Sequence, residues 1–106
     1  MKIQEIIFQE LERLVVENPQ LQFTYELDTR DDTHCIEVLP KIFNQNDAYR
    51  QFKVDLVFRL SQEFPCEGLF FSTDERMHQI EKPSLIITGK AFIQEDKHKK
   101  LLVLDL

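Results

Sequence analysis

Residues 21–38 read Leu21-Gln22-Phe23-Thr24-Tyr25-Glu26-Leu27-Asp28-Thr29-Arg30-Asp31-Asp32-Thr33-His34-Cys35-Ile36-Glu37-Val38, and the fold hangs on them. Leu21, Phe23, Tyr25 and Leu27 alternate with Gln22, Thr24 and Glu26. Side chains on a strand point to opposite faces in turn, so this run predicts a strand with one buried face. Residues 28–32 are polar and suit a turn. His34, Ile36 and Val38 then alternate with Cys35 and Glu37, which predicts a second strand and an antiparallel hairpin. Pro40 closes it.

Upstream of the hairpin the period changes. Ile3, Ile6, Ile7, Leu11, Leu14 and Val15 recur three and four residues apart, the signature of an amphipathic helix. Asn18-Pro19 ends it, because proline restricts the residue before it and lacks a donor. Downstream, Asn44 or Asn46 is the expected cap of a second helix, with Asp47 favourable in its first turn. Tyr49, Phe52, Leu56, Val57, Leu60 and Phe64 form its main apolar stripe. Val54 and Phe58 fall elsewhere on the wheel, about 100–180° round. Pro65 ends that helix.

Gly68-Leu69-Phe70-Phe71-Ser72 and Leu85-Ile86-Ile87-Thr88 are the next two predicted strands, the latter buried on both faces. A polar loop or helical turn is expected over 74–82. Residues 91–93 and 101–104 flank a charged turn and suggest a terminal hairpin, with a helix or partial disorder as the alternatives. The expected architecture is α+β over a single domain, residues 1–106. A mainly antiparallel sheet of four or five strands carries two amphipathic helices on one face, in the order α-β-β-α-β-β plus a C-terminal segment.

Composition narrows the function. The chain of 106 residues carries a formal charge of −6, nine Phe and no Trp. An acidic body repels phosphate backbones, so neither nucleic acid nor an anionic membrane surface is an expected partner. No stretch approaches the roughly 18 apolar residues of a membrane span. The N-terminus lacks the apolar run and cleavage site of a signal peptide, and the two cysteines make no disulfide framework, so a cytoplasmic location is expected.

The chemical motifs are sparse. Gly68 and Gly89 are the only glycines, and Thr88-Gly89-Lys90-Ala91 lacks the earlier glycine and following hydroxyl of a phosphate loop. His34, Cys35, Cys66, His78 and His98 have no paired ligand spacing for zinc, and neighbouring strand residues such as His34 and Cys35 point to opposite faces. Cys35 and Cys66 have acidic neighbours, which hold a thiol protonated rather than activate it. The paired acids Asp31-Asp32 and Asp74-Glu75 suit solvated turns. No catalytic residue, metal or cofactor is expected.

The positive signal is the second apolar side of the second helix. Val54 and Phe58 either bury a second side of a central helix or are candidate interface residues, the latter together with the turn acids Asp31 and Asp32, whose charge can steer a basic partner. The expected function is a non-catalytic protein-interaction module of the adaptor, chaperone or inhibitor type. Its partner is another protein or a second copy in a homodimer. The alternative is a small-ligand binder or enzyme with a site between sheet and helices, using His34, Cys35, Tyr25 or Tyr49.

Overall fold

The computed structural model describes residues 2–72 and 83–93. Helix α1 (Ile3–Glu17) leads into strands β1 (Gln22–Asp28) and β2 (Thr33–Leu39). A short 3-10 turn at Lys41–Gln45 precedes helix α2 (Asp47–Glu63), and strands β3 (Gly68–Ser72) and β4 (Leu85–Thr88) follow.

The β1–β2 hairpin forms as its alternation requires, pairing Phe23 with Val38, Tyr25 with Ile36 and Leu27 with His34. In the turn the Asp28 carboxylate accepts from the Arg30 backbone N–H at 3.1 Å and Asp32 takes a left-handed φ of 54°. Both are short-side-chain turn habits.

The sheet order is β3-β2-β1-β4. β1 pairs antiparallel with β2 and with β4, but β2 and β3 run parallel, so the sheet is mixed rather than mainly antiparallel. The reason lies in the connection. A 17-residue helix carries the chain about 25 Å back along the sheet, so the strand after it starts at the same end as the strand before it. The last two strands therefore do not pair with each other; they lie on opposite edges. The described residues contain four strands and no fifth.

Both helices pack on the sheet face that carries Phe23, Tyr25, Ile36 and Val38, and all six apolar residues of the α1 stripe are buried there. Phe8 of α1 meets the Tyr25 ring edge-on at 5.0 Å between centroids, and Tyr49 of α2 meets Phe23 at 6.1 Å. The termini follow the sequence. Asn18 ends α1 by donating side-chain and backbone N–H to the Leu14 carbonyl. Asn46, rather than Asn44, caps α2 by accepting from the Tyr49 N–H at 2.9 Å.

Three expectations need correction. Val57 does not join the buried stripe of α2; it is 39% exposed. β4 is an edge strand and is not buried on both faces, since Ile86 and Thr88 are exposed. Residues 91–93 are turn and irregular backbone rather than the first arm of a hairpin. The loop expected over 74–82, the segment 101–104, His78 and His98 lie outside the described residues. No helix among the described residues is long and apolar enough to cross a membrane.

Candidate functional site

α2 buries little of itself. Tyr49, Leu56 and Leu60 are its buried residues, all on one narrow side. Val54 is 63% and Phe58 64% exposed. With Lys53, Val57, Ser61 and the β3 residue Phe71, they line an open groove of about 530 Å³. Geometry explains the composition. Val54, Val57, Phe58 and Ser61 are spaced by three and four residues and so form one stripe. Phe71 borders them because β3 lies beside β2 directly after α2.

Lys53 is the charged group of the groove. Its ammonium stands over the Tyr49 ring at 4.8 Å and donates to Asn44 Oδ1 at 3.4 Å. Burial, and then the neighbouring Arg50, push its pKa below the usual lysine value. Val54 and Phe58 were legible as an odd apolar patch in the sequence. Lys53 and Ser61 were not singled out, Val57 was assigned to the buried stripe and Phe71 only to a strand, although Lys53 stands four residues after Tyr49 and one turn before Val57.

Asp31 and Asp32 sit exposed in the hairpin turn, and neither lines the groove. The Asp32 carbonyl accepts from the Gly68 N–H at 3.1 Å and so fixes the start of β3. Asp31, with Glu26 and Asp28, contributes a negative field at Cys35. That field adds to burial, the larger effect, in pushing the Cys35 thiol above its usual pKa. Cys35 is buried although it is on the polar side of its strand, and Cys66 is exposed.

Of the four polar residues considered for a pocket between sheet and helices, the structure joins two. The Tyr25 hydroxyl lies 2.6 Å from His34 Nδ1, and His34 Nε2 lies 2.7 Å from Glu67 Oε1. A carboxylate only accepts, so Nε2–H donates to Glu67, while Nδ1 and the phenol share the second hydrogen bond of the ring. Burial raises the Tyr25 pKa, against a smaller lowering effect of Gln4 on α1. This order of groups resembles a nucleophile, a base and an orienting acid. Yet Tyr25 is 2% and His34 1% exposed, and each satisfies the other. Tyr49 stands apart in an aromatic group with Phe43, Phe52 and Phe71, its phenol also held protonated by burial. Among the described residues no three His, Cys, Asp or Glu side chains converge as a metal site would need.

Comparison with protein-family models, curated protein sequences and solved structures finds no match for the chain.

Proposed function

We propose that the chain is a non-catalytic protein-interaction module that docks partners on the exposed side of α2. One observation carries the reading: Val54, Val57 and Phe58 stand exposed along one helical stripe and share a groove with Phe71. Single exposed apolar residues are ordinary, but contiguous ones beside an aromatic wall mark contact surfaces. Phe is a typical anchor of such surfaces. The catalytic alternative is less well supported, because the Tyr25–His34–Glu67 chain spends its hydrogen-bonding capacity internally.

The test uses wild-type protein and a Phe58→Asp variant as baits in lysate of the source organism. A stoichiometric protein recovered by the wild type and lost by the folded variant supports the reading. Equal recovery by both baits overturns it.

A further inference from the structure

The groove carries an electrostatic imbalance. Arg13, Arg30, Arg50, Arg59 and Lys41 each reach a carboxylate within 4.0 Å. Lys53 reaches none. Its contacts are an aromatic face and one long hydrogen bond to an amide. It is half-buried in an apolar groove, on a chain with 19 acidic and 13 basic residues. A partly desolvated ammonium beside a second cation, Arg50, gains when an anion arrives, and the gain is larger where water is excluded.

The stripe also has a length and a period. From Val54 to Ser61 it spans eight residues, and the seven steps between its ends cover about 10 Å of helix. The side chains that fill such a groove in the helix-in-groove mode come from positions i, i+3, i+4 and i+7 of the incoming helix.

Building on the interaction reading, we propose that the groove takes an amphipathic helix of a partner protein whose apolar stripe is flanked by a carboxylate that pairs with Lys53. Phe58 and Phe71 supply the apolar walls, and Lys53 sets the register by fixing where the acid falls. A second copy of this chain is the poorer fit. A two-fold pairing of antiparallel α2 helices sets the Lys53 edge of one beside the Lys53 edge of the other, so both ammoniums fall on one shared edge.

The experiment is selection of a displayed library of random helical peptides, about 12–15 residues long, on the wild-type protein. Peptides retained by a Phe58→Asp variant are discarded. The expected survivors carry apolar residues at i and i+4 with Asp or Glu beside them. Lys53→Met weakens them roughly five- to tenfold. On a Lys53→Glu variant the enriched charge switches to Lys or Arg. Melting curves confirm that the variants are folded.

Phe58-dependent peptides without acidic enrichment, or the same acidic peptides enriched on Lys53→Glu, overturn the Lys53 pairing and leave the interaction module standing. A concentration-dependent dimer, seen by sedimentation and lost in Phe58→Asp, likewise overturns the acidic-helix partner alone. The absence of any Phe58-dependent peptide, with no dimer, overturns both.

Discussion

The Tyr25 hydroxyl and His34 Nδ1 share a hydrogen bond of 2.6 Å, joining adjacent strands through the interior of the sheet face that both helices cover. His34 passes the connection to Glu67, in the turn between α2 and β3. Three segments thus meet in one polar chain. Removing a member leaves its neighbour buried and unpaired, which costs more than the bond itself contributes.

Tyr25→Phe keeps the ring and its edge contact with Phe8 but strands Nδ1. The expected loss is about 1–3 kcal/mol of unfolding free energy, measured by urea denaturation. Glu67→Gln is expected to cost less, because Glu67 is one-third exposed and an amide oxygen still accepts. Equal stability of Tyr25→Phe and wild type would show that the chain contributes nothing.

Alkali should unfold the protein in step with its phenols. Burial raises the pKa of both Tyr25 and Tyr49, the only tyrosines. Above about pH 10 the unfolded chain releases phenol protons that the folded chain keeps. The unfolded state then binds fewer protons, so stability falls as pH rises through that value; below it, both states are protonated and the two groups have no effect. Lys53, with its lowered pKa, works in the opposite direction, but it is one half-buried group against two buried ones. Phenolate absorbance and circular dichroism should therefore change together. Phenolate formation in a fully folded protein would contradict the burial argument.

Gly89→Ala should destabilise sharply. A Cβ there would stand 2.1 Å from the Pro19 carbonyl oxygen and 2.9 Å from that of Leu21, both backbone atoms. The Gly89 N–H also donates to the Leu21 carbonyl, and Ala91 N–H to that of Pro19. Forcing these segments apart is expected to cost at least about 1–3 kcal/mol. Gly68→Ala meets only the Thr33 side chain, at 3.3 Å, and should be milder. Comparing the two melting temperatures checks the ranking.

The thiols should separate kinetically. Cys66 is exposed, whereas Cys35 is buried and held protonated by burial and by Glu26, Asp28 and Asp31. A thiol reagent is expected to label one site quickly and the second only on unfolding, with mass spectrometry placing the fast label on Cys66. Fast labelling of Cys35 in the native state would show that the second face of the sheet opens.

The hairpin and α1 were readable because local periodicity and burial coincide there: every second residue of β1 and the whole Ile3–Val15 stripe face the core. Strand direction was not readable for β3. It depends on where a 17-residue helix delivers the chain, which Gly68–Ser72 does not encode. β4 looked doubly buried because Leu85-Ile86-Ile87 is continuously apolar, yet an edge position leaves Ile86 half in water. At the candidate site the misplaced Val54 and Phe58 stood out from the helical wheel. Lys53 and Phe71 did not, because their joint role arises only when β3 returns beside α2. The His34–Glu67 bond was likewise hidden by a sequence separation of 33.

On the proposed reading, the α2 stripe serves docking rather than the fold. It is tested most directly by measuring stability and partner capture on one Val54→Ser/Phe58→Ser variant. Both side chains are mostly exposed, so the unfolding free energy should stay within about 0.5 kcal/mol of wild type, while the partner taken from source lysate by the wild type is lost. A large fall in stability, or unchanged capture by the folded variant, would contradict it.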